Sequence, residues 1–295
     1  MTAVTARKLT PATASTQAGR RGGRPSRRVG SLVVTGLTWS VVFLFFFPVL
    51  WMMFTAFKSE RDAATFPPTV FVELSLDGFA RVFDRGLATY LLNSLTSSVL
   101  STLIVLALAI PAAYALSVRP IKKWRDALFF FISTRFMPIA ASVIPVYLIL
   151  KYFGLVDNIT ALALLYVAIN LPLAIWMLRS FFSEVPVSIL EAARIDGAPL
   201  RTEMTRIVLP IVAPGVAAAA LLCFIFAWNE YFLATILTST AARTTPPFLG
   251  SFVDGRGQFL AVLSAACTLA VLPVILAGWL AQKRLVRGLA MGAVK

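Results

Sequence analysis

The sequence predicts an all-α protein that crosses a membrane six times, with both chain ends on the cytoplasmic side. Of its 295 residues, 59% are hydrophobic and 14% are charged, and the mean hydropathy is +0.84. A water-soluble protein of this length has too little interior to bury so much apolar surface. The apolar residues also fall in long runs, and each run must be helical in lipid because unpaired backbone polar groups are costly there.

Six apolar runs approach or exceed the roughly 20 residues that a helix needs to cross the hydrocarbon layer. The first run is too long for a secretory signal and lacks a small-residue cleavage site, so we predict that it is retained. In chain order, the predicted spans are Ser31–Phe54, Tyr90–Val118, Ala127–Leu150, Thr160–Leu178, Ile207–Ile236 and Phe259–Leu280.

The segments outside the spans divide the chain into regions. Residues 1–30 are basic and rich in small polar residues, which predicts a disordered cytoplasmic tail, with a transit peptide as the alternative. Residues 31–57 hold the first transmembrane helix, and residues 58–89 are predicted to form an extracytoplasmic loop with a short helix near 76–83. Residues 90–281 contain the other five spans, and residues 282–295 form a C-terminal tail.

The basic residues indicate the orientation. With both ends inside, the cytoplasmic segments carry 19 of the 27 Lys and Arg residues and the outer segments carry 7, with Arg135 inside a span. This bias follows the positive-inside rule. The formal net charge of +14 therefore indicates contact with lipid headgroups, and the basic residues show no aromatic interleaving that would predict nucleic-acid binding.

The residue inventory argues against catalysis and against a cofactor in this chain. The sequence contains no histidine, and its two cysteines, Cys223 and Cys267, fall in apolar spans without metal-ligand spacing. It also lacks the Gly-rich phosphate loop of ATP-binding proteins. If ATP drives this protein, another subunit must bind and hydrolyse it.

A polar segment interrupts the apolar pattern between the fourth and fifth spans. It reads Glu-Ala-Ala-Arg-Ile-Asp-Gly from Glu191 to Gly197, and Ile-Val-Leu-Pro follows after nine residues and ends at Pro210. Pro186 is suited to open a helix here, and Gly197 is suited to close it in the left-handed conformation. An ordinary amphipathic surface helix is one interpretation, and a helix that fits a groove on a partner is the other.

This segment resembles the signature of ABC importer membrane subunits, without gaps, although Pro199 and Met204 depart from the usual pattern. The resemblance implies that residues 186–206 form a cytoplasmic coupling helix, which docks on the ATP-hydrolysing subunit. The implied interface residues are Glu191, Ala192, Ala193, Ile195, Asp196, Gly197, Leu209 and Pro210.

The C-terminal tail resembles that of the maltose-type carbohydrate permeases, specifically the smaller chain of the permease pair. The resemblance implies that Gln282, Gly288 and Gly292 contact the two ATPase subunits, with the glycines allowing tight turns. A basic flap on anionic lipid is the alternative.

Two ionisable residues are predicted at membrane depth, where charge is costly and marks a candidate functional site. Arg135 lies in the third predicted span and Glu230 in the fifth. They either pair structurally or, with neighbouring aromatic and amide groups, line a path for a polyhydroxylated solute. The remaining predicted path residues are Asn170, Trp228, Asn229 and Tyr231.

Together these features predict a permease subunit in the cytoplasmic membrane that imports a sugar or a polyol. The resemblance implies three partners, which are a second homologous permease, a dimer of ATP-binding subunits and an extracellular solute-binding protein. An ABC permease for a non-carbohydrate solute and an ion-coupled secondary transporter are the alternatives. A membrane enzyme is least supported, because no nucleophile stands with a base.

Overall fold

The structure is a computed structural model that describes residues 26–119, 122–253 and 259–292, with side chains for 31–119, 122–253 and 259–282. These residues form helices and connections, without a strand among them. The chain divides into two compact units after Leu50. Most of the predicted tail 1–30 lies outside the described residues.

The helices have these bounds: α1 Ser26–Thr55, α2 Glu60–Ala63, α3 Asp77–Asp84, α4 Leu87–Ser117, α5 Trp124–Arg135, α6 Ile139–Tyr152, α7 Ile159–Ser183, α8 Val187–Ile195, α9 Leu200–Thr202, a π-helix Glu203–Val208, α10 Leu209–Trp228, α11 Phe232–Leu237, α12 Thr245–Gly250 and α13 Leu260–Gly292. Five helical stretches are long and apolar enough to cross a membrane, and the bent pair α5 and α6 makes a sixth if it counts as one span.

The predicted third span, Ala127–Leu150, is not one straight helix. Helices α5 and α6 meet at an angle of 86°. Pro138 precedes α6 with extended backbone angles, and a proline disfavours helical geometry in the residue before it. The break therefore places Arg135 at the end of a helix rather than inside one.

The predicted fifth span, Ile207–Ile236, is wrong at both ends. The helical stretch begins at Leu200 and ends at Trp228, and α11 starts after a three-residue break. The Glu230 carboxylate accepts hydrogen bonds from the backbone N–H groups of Leu233 and Ala234 at 2.9 and 3.0 Å. Because this side chain caps the N-terminus of α11, Glu230 lies in a helix break and not within the span.

Helices α4, α7 and α10 pack together as the main core of the second unit. Small residues such as Ala109, Ala174 and Ala219 face this core and let the helices approach closely. Gly215 on α10 shows how close the approach is, because a Cβ atom there would lie 2.3 Å from the Phe181 ring of α7. Packing of this kind supplies the helix association that the hydrophobic effect cannot supply in lipid.

Helix α1 differs from the core helices in its exposure. Within its own unit, residues 31–50 are exposed almost throughout, including the large side chains Trp39 and Phe45. A helix that is apolar on all sides and uncovered is suited to a lipid environment.

The connection between α1 and α4 folds against the start of α13. Helix α3 confirms the short helix predicted near residues 76–83. The Glu60 carboxylate accepts hydrogen bonds from the N–H groups of Ala261 and Val262 at 3.0 and 3.3 Å, which caps α13. This connection is therefore a packed element rather than a loose linker.

Asp157 lies in the connection between α6 and α7 and binds the segment between α11 and α12. Its carboxylate accepts six hydrogen bonds from the backbone and hydroxyl groups of residues 239–242, at 2.9 to 3.2 Å. Burial alone would raise the pKa of this carboxyl group, but the backbone N–H groups outweigh burial and hold the pKa well below its usual range.

We expect Asp157→Asn to lower the apparent Tm of the detergent-purified protein by about 5 °C, because losing charged hydrogen bonds costs about 2 kcal/mol. Thr240→Ala is the control, since it removes one hydroxyl donor and should cost much less. Because the pKa of Asp157 is lower in the folded state than in the unfolded state, its carboxylate stabilises the fold at any pH above the unfolded pKa. This stabilisation is lost as the pH falls toward the folded-state pKa. The Tm difference should therefore stay constant from about pH 5 to pH 8 and shrink below about pH 4. A variant as stable as the wild type would contradict this role.

Candidate partner-binding helix and solute cavity

Helix α8 has the ends that the sequence predicts. Pro186 is its N-cap residue, and Gly197 follows the C-cap with a φ of +73°. The N–H of Gly197 donates to the carbonyl of Arg194, and the N–H of Ala198 donates to that of Ala193. Because a side chain is strained at this positive φ, glycine suits the position, and the turn leads directly into the next span.

The two faces of α8 differ in exposure. Leu190 and Ala193 are buried, and Leu190 belongs to the core formed by α4, α7 and α10. Glu191 and Ala192 are exposed, and the Ile195 side chain is 85% exposed. Ala193 packs inward in this conformation, so its predicted contact with a partner stays a prediction.

Most of the remaining predicted interface residues are exposed, and one is partly buried. Asp196 and Gly197 are exposed in the turn after α8, and Pro210 is exposed at the start of α10. Leu209 is half-buried and packs partly against the core, so its predicted contact also stays a prediction. The exposed surface is thus made by Glu191, Ala192, Ile195, Asp196, Gly197 and Pro210.

A buried carboxylate lies beside α8, and sequence reasoning missed it. Glu203 is 0% exposed and accepts hydrogen bonds from the Tyr114 hydroxyl at 2.7 Å and the Arg119 guanidinium at 2.8 Å. Arg194 of α8 reaches the same carboxylate at 3.4 Å. The hydrogen bond to Glu203 raises the pKa of Arg119 still further. The sequence does show that Arg194 and Glu203 are residues of opposite charge in the same connection. It does not show that the Glu203 side chain points inward.

A cavity of about 170 Å³ lies between α5, α7 and the end of α10. Three of the predicted path residues, Arg135, Asn170 and Glu230, line this cavity. The structure adds Tyr166, a buried residue of α7 whose hydroxyl has no hydrogen-bond partner among the described residues. Its other lining residues are Ile139, Ile169, Phe226 and Ala227.

Arg135 and Glu230 line the same cavity without forming an ion pair among the described side chains. The Arg135 guanidinium donates to the carbonyl of Ile169 at 2.9 Å and lies 5.5 Å from the centre of the Phe226 ring. Glu230 is held by the N-terminus of α11. The alternative of direct pairing is therefore not the arrangement in this structure.

Asn170 carries a second unsatisfied polar group of the cavity, beside the Tyr166 hydroxyl. Its side chain is 2% exposed, and Oδ1 has no hydrogen-bond partner among the residues described. A buried acceptor without a partner costs about 1–3 kcal/mol, so it indicates a site that a ligand or water completes.

The other predicted path residues lie outside this cavity. Trp228 is buried and stacks on Phe224, with 5.7 Å between ring centres. Asn229 donates back to the carbonyl of Ile225, and the ring of Tyr231 lies against Gly250.

The C-terminal tail differs from its predicted form. The α13 backbone stays helical through Gly292, so Gly288 and Gly292 belong to a helix rather than to tight turns. Gln282 is the last residue of α13 whose side chain is described.

Comparison with known proteins identifies the family. Residues 87–291 match the family described as binding-protein-dependent transport system inner membrane component. The chain is 37% identical to a probable ABC transporter permease protein, y4oR, from Sinorhizobium fredii, over 92% of this chain and 98% of that protein. It is 32% identical to the sulfoquinovosyl glycerol transport system permease protein SmoH from Agrobacterium fabrum, over 92% of this chain and 94% of that protein.

A solved structure shares the fold. One chain of a bacterial ABC transporter involved in the import of the acidic polysaccharide alginate superposes with a TM-score of 0.70 at 24% identity. The match covers 88% of this chain and 98% of that chain. The long apolar helices and the family match make this protein a multi-pass protein of the cell membrane, and the chain belongs to the binding-protein-dependent transport system inner membrane components, the permeases of ABC transporters.

Proposed function

We propose that this chain is one of two homologous permease subunits of an ABC importer for a sugar or polyol, and that α8 is its contact with the ATP-binding subunits. One observation supports the proposed contact of α8 with the ATP-binding subunits. The Ile195 side chain is 85% exposed on a polar helix whose other face is anchored in the core. A large uncovered apolar residue beside Glu191 and Ala192 suits a groove on a protein partner.

The charge distribution supports a cytoplasmic location for α8. The helix lies between the spans α7 and α10, and four basic residues fall in 179–206. The 19 to 7 distribution of Lys and Arg favours this side by the positive-inside rule. With α8 inside, the Asp157 carboxylate and the α11–α12 connection lie outside, where a solute-binding protein would arrive.

In the proposed mechanism, the partner subunits bind and hydrolyse ATP, and this chain converts their motion into transport. Closure of the ATPase dimer displaces α8. The core helices packed beside it then shift the permease from inward-open to outward-open, and solute enters from the binding protein. The residues described here serve to position, transmit and line the path, and none has a catalytic role.

The chemistry of the cavity supports a carbohydrate or polyol over an apolar solute. Arg135, Asn170 and Glu230 offer donors and acceptors around a small space beside the Phe226 ring. Hydroxyl groups of a sugar match such a mixture, and the unpaired Oδ1 of Asn170 requires a donor. The relative SmoH is named for a sugar-containing solute, sulfoquinovosyl glycerol. Family membership weighs against the ion-coupled alternative, whereas a non-carbohydrate solute is the second outcome of the uptake test below.

We expect Glu191→Lys and Gly197→Asp to abolish the stimulation of ATP hydrolysis by loaded binding protein, because both alter the exposed surface of α8 or the turn after it. Glu184→Lys is the matched control, since it reverses a charge in the same connection but lies outside α8. ATPase activity and subunit co-purification are measured on the full complex. Normal stimulation in both α8 variants would contradict the proposed ATPase contact.

Cysteine labelling tests the proposed topology in a background lacking Cys223 and Cys267. The residues chosen are highly exposed, namely Ile195 on α8 and Phe71 before α3, which is 99% exposed. We expect Phe71→Cys to react with a membrane-impermeant thiol reagent from outside, and Ile195→Cys to react after the membrane is opened. Labelling of Ile195→Cys in intact cells would invert the topology.

Asn170→Leu separates a packing role for the cavity from contact with the solute. Replacing an unpaired buried amide by an apolar side chain of similar size should leave assembly and stability unharmed. If Oδ1 binds the solute, uptake by reconstituted vesicles should fall about fivefold, since a lost hydrogen bond is worth about 1 kcal/mol. Thr102→Val is the control, because this hydroxyl is also buried and unpaired but does not line the cavity. Equal uptake by the two variants would remove Asn170 from the path, and the series is measured with sugars, polyols and amino acids.

A further inference from the structure

Glu203 joins three parts of the chain through one buried carboxylate. It is the first residue of the π-helix that leads into α10. Its partners are Tyr114 in the last turn of α4, Arg119 just beyond α4, and Arg194 in the last turn of α8. We name these four side chains the Glu203 cluster.

The energetics of burial require the cluster to stay intact. A buried carboxylate is unfavourable unless charged and hydrogen-bonded partners compensate for its lost hydration. Glu203 is fully buried, whereas Arg119 and Arg194 are 46% and 43% exposed and bring their charge in from the surface. Moving α8 away from the spans would therefore break a contact to a charge that water cannot reach.

The other attachment of α8 to the core is of a different kind. Leu190 and Ala193 make apolar contacts, which have no preferred direction and allow sliding. Arg194 makes one hydrogen bond of 3.4 Å to the Glu203 carboxylate, and a hydrogen bond, unlike an apolar contact, has a preferred direction. Orientation of α8 relative to the spans thus depends on Glu203 more than on the apolar contacts.

The backbone at Glu203 gives independent support. Residues 203–208 form a π-helix, a rare geometry that occurs often at functional sites. It lies between the turn at Gly197 and the straight part of α10, on the path by which a displacement of α8 reaches that span. The polar cluster and the irregular helix therefore coincide at one point of the chain.

We propose that Glu203 is a positioning residue that fixes α8 to the ends of α4 and α10, so that the three helices move as one body when α8 is displaced. This inference rests on the proposed role of α8 as the ATPase contact. It adds that displacement passes through a specific charged contact inside this chain, rather than through apolar packing alone.

The test uses Arg194→Met in the full complex. This change removes the α8 contact and leaves Glu203 paired with Tyr114 and Arg119, so the carboxylate is not left alone and the complex should assemble. We expect the number of solute molecules transported per ATP hydrolysed to fall about tenfold, as one charge-assisted hydrogen bond is lost. Arg201→Met is the matched control, because Arg201 is an exposed neighbour without an ion pair among the described side chains and should retain wild-type coupling. Arg194→Lys restores the charge and should recover part of the loss.

Spin labels provide a readout that stability alone does not change. One label is placed at Ser188→Cys, an exposed position of α8 outside the proposed interface, and the other at Leu108→Cys, an exposed position on α4. With Arg194 present, the distance between the labels should stay the same when ATP is added, whereas Arg194→Met should broaden or shift it. A changed distance in the parent protein, or normal coupling in Arg194→Met, would overturn the inference. Failure of the ATPase contact itself would appear instead as normal stimulation in Glu191→Lys and Gly197→Asp.

Discussion

A membrane interior offers no water to bind backbone groups, and this constraint governs where the helices of this protein break. Two helix N-termini are capped by carboxylates, and a third charged side chain, at the end of a helix, binds a carbonyl of a neighbouring helix. Glu230 caps α11, Glu60 caps α13, and Arg135 at the end of α5 donates to a carbonyl of α7. The charged residues thus mark the points where the regular helix stops, and their cost in an apolar medium is offset by the backbone groups that they satisfy.

These breaks also create the candidate solute cavity. A continuous helix through residues 124–152 or 200–237 would leave no opening at that level, whereas the breaks after Arg135 and Trp228 bring polar side chains to one small space. Arg135 and Glu230 each bind the backbone and face the cavity at the same time. A structural role and the proposed role in the solute path are therefore compatible for these two residues. Asn170 differs from them, because its buried Oδ1 has no hydrogen-bond partner in the part of the chain that the structure describes.

On the proposed ATPase side of the protein, a surface helix is held to the core by two kinds of contact. Helix α8 is attached by apolar contacts at Leu190 and Ala193 and by the charged contact of Arg194 with Glu203, and it leaves Ile195 uncovered. The apolar contacts hold the helix against the core, and the charged contact sets its orientation. Such an arrangement keeps a docking surface rigid while leaving it free of the protein's own side chains.

Composition and apolar runs determined the fold class, the five long apolar helices and the ends of α8, because these depend on local properties. Lipid demands about 20 apolar residues per span, and Pro186 and Gly197 dictate their own backbone geometry. The motif likewise identified the family. The tertiary structure alone decided that Ala193 and Leu209 face inward, that Trp228 packs on Phe224, and that Glu203 is buried among Tyr114, Arg119 and Arg194. Those outcomes depend on the rotation of each helix about its axis and on its neighbours, which an apolar run without a polar face does not specify.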